Sequence, residues 1–200
     1  MTKVKKSDLR KITVTAIMSA IAAILQFVEF SIPIIPSFVK LDFSDLPALI
    51  TSFAIGPWYG VTVELIKNLL HLPFGSSASV GEICNFLLGS VFCITAGFIY
   101  KKHKTRKGAV IGVFLGALFM ALASLPMNYF IVYPAYVVLY HMPMDAIIGM
   151  YSEILPGTDS LAKALTIFNL PFTFLKGIAN AIICFLIYKP LSPVIKGKNV

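Results

Sequence analysis

Five long apolar runs, parted by short basic clusters, constrain this chain more than any other feature. The runs cover 12–30, 46–72, 83–100, 108–140 and 161–188. A helix needs about 20 apolar residues to cross the hydrocarbon of a bilayer. Runs of this length predict an all-α integral membrane protein. Charge content agrees, at 13% against roughly 25% in soluble domains. The net charge of +8 does not point to nucleic acid, because the basic residues stand in short strings rather than over a folded face. Cys84, Cys93 and Cys184 all fall inside apolar stretches with no C-x-x-C spacing. They read as packed free thiols, and no metal site is expected.

The basic clusters set the topology. Lys3, Lys5, Lys6, Arg10 and Lys11 precede the first run; Lys101, Lys102, Lys104, Arg106 and Lys107 precede the fourth; Lys189, Lys196 and Lys198 follow the last. Basic residues in short loops stay on the cytoplasmic side, so the number of crossings between the first two clusters must be even. The runs 12–30 and 83–100 supply one each, and 46–72 must therefore supply two. Gly56-Pro57 is the turn this parity demands, since Gly accepts an awkward backbone angle and Pro opens the next helix. The run 108–140 is expected to bend near Pro126 and Pro134, and 141–160 to be a loop. Six transmembrane helices follow, at about 12–30, 46–55, 57–72, 82–100, 108–140 and 161–188, forming one transmembrane domain over 1–200 with both termini cytoplasmic. An Ala20-x-Ala22 pair after the basic start resembles a signal-peptide cleavage site. The apolar run continues past it to Phe30, however, and helix one is retained.

On that topology most intramembrane polar groups gather toward the outer half. Glu64, Lys67, Asn68 and His71 share one face of helix three at i, i+3, i+4, i+7. Glu82 and Asn85 open helix four, and Asn128 lies late in helix five, followed by Tyr129 and Tyr133. Asn169, Thr173, Lys176 and Asn180 form a stripe along helix six. Ionisable groups are costly in lipid, so they face the bundle interior or a wet cavity. For helix three, internal pairing of Glu64 with Lys67 and a functional role both remain open. Lys176 has no acid within a turn on its own helix, so it should reach a cavity, a ligand or a distant acid. His71, at a helix end, reads as an interfacial residue.

Two strips of small residues favour close helix approach in lipid. Gly108, Gly112 and Gly116 read as packing within the bundle. Ala16, Ser19, Ala20 and Ala23 on helix one suit either internal packing or an external docking face. There is no G-x-x-x-x-G-K-[ST], H-E-x-x-H or G-x-S-x-G sequence. If the protein concentrates a solute using ATP, another subunit must hydrolyse it. The absence of two similar halves weighs against an autonomous secondary transporter.

The segments KLDFSDLPAL at 40–49, Gly56-Pro57 with Gly60, and KNLL at 67–70 carry a resemblance. So do Gly81-Glu82 with Asn85, Phe86 and Gly89, Asn128-Tyr-Phe with Pro134, and Pro171-Phe with Lys176-Gly177. Together the chain resembles the riboflavin-type S components of energy-coupling factor (ECF) vitamin transporters over nearly its whole length. The resemblance implies a riboflavin receptor in a bacterial plasma membrane, docking on a transmembrane T subunit coupled to two ABC-type ATPase subunits. It implies that Ala16, Ser19, Ala20 and Ala23 form the docking face. It also implies that Val39, Lys40, Leu41 and Asp42 cap the ligand, with Asn85, Asn128, Thr173 and Lys176 in the ligand site. The family often carries Asn where this chain has Thr173. Riboflavin would be cargo, with no resident cofactor and no catalytic residues. The alternatives are an S component for thiamine or biotin, and a small membrane enzyme using the Glu64/Lys67/His71 face.

Overall fold

The computed structural model describes residues 6–33, 35–36, 39–75 and 79–196. Lys3, Lys5 and Lys198 of the basic clusters, and residues 76–78, lie outside the described residues. The chain is mostly helical, as its apolar runs predict. Helix α1 spans Lys6–Phe27, α2 Asp45–Ala54, α3 Pro57–His71 and α4 Val80–Lys102. Helix α5 (Arg106–Met127) passes through a wide π turn at Asn128–Val132 into α6 (Tyr133–Leu139). Helix α7 is Met144–Ile154, and α8 (Leu161–Ala164) passes through a second π turn at Leu165–Asn169 into α9 (Leu170–Lys196).

The break between α2 and α3 falls where the sequence places it. Gly56 sits at φ 146°, in the region that favours glycine, and Pro57 is the first residue of α3. Three expectations are corrected. Helix one runs from Lys6 to Phe27 rather than 12–30. Beyond its end, β1 (Phe30–Ser31) pairs antiparallel with β2 (Lys40–Leu41), so a short strand ladder interrupts the all-α pattern. The stretch 141–160 is not simply a loop, because α7 buries Ile147 and Tyr151 at i, i+4 against α6 and α8.

Both π turns have the same cause. Tyr133 N–H reaches back five residues to the Asn128 carbonyl, and Leu170 N–H to the Leu165 carbonyl. Each donor immediately precedes a proline, Pro134 or Pro171, which has no N–H to continue the ladder. The widened turn absorbs that defect.

The glycines of α5 pack inside the bundle. A Cβ on Gly112 would lie 2.9 Å from the Ala96 carbonyl, and one on Gly116 would lie 2.9 Å from the Phe92 ring. Apolar side chains look outward elsewhere: Phe130 is 71% exposed and Leu186 73%, while Glu64 and Lys67 are fully buried. A soluble protein shows the reverse. Three helical stretches, Val80–Lys102, Arg106–Leu139 and Leu161–Tyr188, are long and apolar enough to cross a membrane.

Candidate ligand-binding site

A cavity of about 550 Å³ opens between the end of α1, the β2 loop, the start of α4, the two π turns and α9. Seven of the eight residues expected in a ligand site line it: Val39, Lys40, Asp42, Asn85, Asn128, Thr173 and Lys176. Leu41 does not; it pairs with Phe30 across the strand ladder. Trp58 is exposed and lies outside the cavity.

One wall is ionic. Lys176 Nζ donates to Asp42 Oδ2 at 2.9 Å and lies 3.5 Å from Asp45 Oδ2. The distant acid that Lys176 needed is therefore 134 residues away in sequence. Asp42 Oδ1 accepts both the Ser44 N–H (2.8 Å) and the Ser44 hydroxyl (2.5 Å). Burial alone would raise the Asp42 carboxyl. The Lys176 and Lys67 ammonium groups and the Ser44 hydroxyl outweigh it, holding this loop carboxyl well below its ordinary value. Lys67, fully buried, donates to Ser44 Oγ (2.7 Å) and Asp45 Oδ1 (2.5 Å) and pairs with Glu64 Oε2 at 2.8 Å. Internal ion pairing thus ties Glu64 to Lys67, although neither Glu64 oxygen accepts a hydrogen bond among the described residues. The Glu64 carboxylate occupies the space that a side chain at Gly89 would fill.

Donor counting separates the two lysines. An ammonium has three N–H groups. Lys67, closed off from the cavity, donates to Ser44 and Asp45 and faces Glu64 as an ion pair. Lys176 donates to Asp42, has Asp45 as a second counter-charge at 3.5 Å, and keeps N–H capacity for the cavity it lines.

Another part of the lining, a second wall, is neutral and aromatic. Tyr133, at the start of α6, and Asn169, in the second π turn, line the cavity with Tyr136, Tyr140 and Phe172. Tyr151 of α7, fully buried and outside the cavity, donates to Asn169 Oδ1 at 2.8 Å and touches the Tyr133 hydroxyl. Asn169 Nδ2 in turn donates to Tyr133 OH at 3.1 Å. Asn128 spends one N–H on the Ser124 carbonyl at 2.8 Å.

Some of these residues escaped sequence reasoning. His71 is not interfacial: it is buried, lines the cavity, and its Nδ1 lies 2.9 Å from Glu82 Oε1. Its i+7 place on the Glu64 face was the available signal. Asn169 belonged to the helix-six stripe but not to the expected site, and Tyr151 carried no polar periodicity at all. Gln26, a cavity residue whose Nε2 donates to Asn68 Oδ1 at 3.1 Å, was hidden in the apolar run of helix one.

The helix-one strip is split in its exposure. Ser19 and Ala23 are buried against the bundle, because α1 turns that side toward α2 and α3. Ala16 and Ala20 are exposed. Only this second pair is open to a partner.

Residues 10–188 match the family model described as "ECF transporter, substrate-specific component". The chain belongs to that family. As an ECF substrate-specific component it is a membrane protein of a transporter family. It is 32% identical over 194 residues to the riboflavin transporter RibU of Staphylococcus aureus (strain TCH60), covering 97% of this chain and 96% of that one. It is also 32% identical to the riboflavin transporter FmnP of Bacillus subtilis (strain 168), covering 95% and 96%. Among solved structures, one described as "Structure and mechanism of the S component of a bacterial ECF transporter" superposes with a TM-score of 0.72. That likeness has 33% identity and covers 93% of this chain and 97% of the other. An ECF substrate-specific component needs a pocket rather than a reaction centre, and the cavity lined by Lys176 meets that need.

Proposed function

We propose that this chain is the riboflavin-capturing subunit of an ATP-driven ECF uptake transporter. It acts in a bacterial plasma membrane with a transmembrane T subunit and two ABC-type ATPase subunits. The observation that carries the reading is the 550 Å³ cavity, lined by aromatics together with Asn128 and Lys176. Pockets for flat organic ligands are mostly apolar with a few placed polar groups. Isoalloxazine is such a ligand, with an imide edge that both donates and accepts. Asn128 can do both in return, whereas Lys176 only donates, giving its spare N–H to a ring carbonyl. Tyr136, Tyr140 and Phe172 flank the ring faces. Val39, Lys40, Asp42, Asn85 and Thr173 complete the enclosure, and Leu41 acts by holding the loop through β2. The two named relatives are riboflavin transporters. Riboflavin is cargo, and no resident cofactor is invoked.

In this reading the whole chain, 1–200, is one transmembrane domain with six crossings: α1, α2, α3, α4, α5–α6 and α8–α9. Both termini lie in the cytoplasm with the basic string 101–107. Ala16 and Ala20 meet the T subunit. The groups an enzyme would use, Glu64, Lys67 and His71, are tied to Lys67, to Ser44 and Asp45, and to Glu82 respectively.

The test is an absorbance spectrum and an equilibrium titration of the detergent-purified protein. A yellow preparation, or saturable quenching of added riboflavin, is expected. Lys176→Ala should weaken binding by about 1.5–3 kcal/mol, the range for a hydrogen bond to a charged group. A colourless protein that binds thiamine or biotin instead would redirect the reading to another vitamin.

A further inference from the structure

Lys67 lines no part of the cavity, yet every hydrogen bond it makes ends on the corner that holds the cavity's cation. Its ammonium touches Ser44 Oγ and Asp45 Oδ1. Ser44 passes the connection on, its hydroxyl donating to Asp42 Oδ1. Asp42 then accepts from Lys176, and Asp45 stands beside the same ammonium as a second counter-charge. The chain of contacts is continuous from α3, through the start of α2, to α9, and its members Ser44, Asp45 and Lys67 are at most 1% exposed.

We propose that Lys67 and Ser44 are positioning residues for ligand capture, fixing Asp42 and Asp45 so that the Lys176 ammonium presents a remaining N–H to the cavity. Asp42 is then a fastener rather than a ligand contact. Its Oδ1 is taken by two Ser44 donors and its Oδ2 by Lys176. Glu64 anchors the far end of the relay, in the space Gly89 leaves open on α4. The inference rests on the riboflavin reading for its binding readout, so its test carries a second readout that needs no ligand.

The experiment is a double-mutant cycle on the purified full-length chain, read by riboflavin titration. Lys67→Gln should lower affinity by roughly 10-fold or more, and Ser44→Ala by about fivefold, following the cost of lost charged and neutral hydrogen bonds. In a Lys176→Ala background neither change should lower affinity further, because the relay acts only through that ammonium. Equal losses in both backgrounds would overturn the proposal and leave general destabilisation as the cause. Ser44→Ala keeps the Lys67 pairs to Asp45 and Glu64, so it carries the cycle if Lys67→Gln does not fold. The second readout is a spin label at a cysteine replacing Val39. Ser44→Ala should broaden its distribution of positions in the ligand-free protein. An unchanged label would sink the relay whether or not riboflavin binds, whereas a broadened label with no riboflavin binding by the parent chain would sink only the ligand assignment.

Discussion

The two walls of the cavity are built on opposite principles. The ionic wall ties a loop to α2, α3 and α9 with charges that have almost no access to water: Asp45, Glu64 and Lys67 are at most 1% exposed. The neutral wall joins three helical segments through Tyr133, Tyr151 and Asn169, with no formal charge. Buried ion pairs are strongly destabilising when one member is removed and weakly stabilising as a whole. Neutral hydrogen bonds cost about 1 kcal/mol each to lose. The ionic wall should therefore be brittle and the neutral wall forgiving, although both hold cavity residues in place through a fully buried residue outside it.

Lys67→Met offers the sharpest way to break this contrast. It leaves Asp45 and Glu64 facing each other across the vacated position, and a loss of about 3–5 kcal/mol is expected for an orphaned buried charge. Chemical denaturation in detergent would measure it. Adding Glu64→Gln should recover part of the loss, since one uncompensated charge is then gone. A single mutant as stable as the parent would mean the wall is not ionic in the way its distances imply.

The next effect concerns the room given to Glu64. Gly89→Ala places a methyl group where the carboxylate lies, and overpacking of this kind costs about 1–3 kcal/mol. The same substitution should not disturb the neutral wall. Thermal denaturation of Gly89→Ala alone and combined with Glu64→Ala separates the two, because the shorter side chain removes the collision.

How these walls arise explains what could be read in advance. Gly56-Pro57 is local chemistry, so the α2–α3 break was legible, as were the buried Glu64 face and the polar stripe of α9. The Lys176–Asp42 pair was not, because the stripe says only that the lysine needs a partner, and 134 residues separate the two. Helix α7 was masked by its punctuation. Pro143 before it, Gly149 within it and Pro156-Gly157 after it all signal a loop, and only Ile147 and Tyr151 betray an inner face. The π turns follow from proline defects, but sequence marks only the proline and not the widened turn that precedes it.

Acid provides a comparison that spans both walls. Asp42 has a depressed pKa in the folded protein, so its contribution to stability is fully present above its ordinary unfolded value near 4. That contribution is lost only as pH falls through the lower folded value. The stability gap between the parent chain and Asp42→Asn should hold steady from pH 7 to about 4 and shrink below that. Phenols stay uncharged throughout this window, so the gap for a substitution in the neutral wall should stay flat. A gap for Asp42→Asn that closes above pH 5 would show that its carboxylate is not held by Lys176.

The smallest effect belongs to Tyr151→Phe. It deletes one hydroxyl and leaves the ring packed against Phe168, whose centroid lies 5.2 Å away. Tyr133 and Asn169 still bond directly at 3.1 Å, so the triangle loses one corner without stranding a charge. A cost of about 1 kcal/mol is expected, measured by the same denaturation. Riboflavin affinity should fall by only a few fold, since Asn169 can turn its freed carbonyl oxygen toward the cavity it lines. A loss as large as that of Lys67→Met would erase the distinction between the walls, because a neutral hydroxyl would then be as indispensable as a buried ammonium.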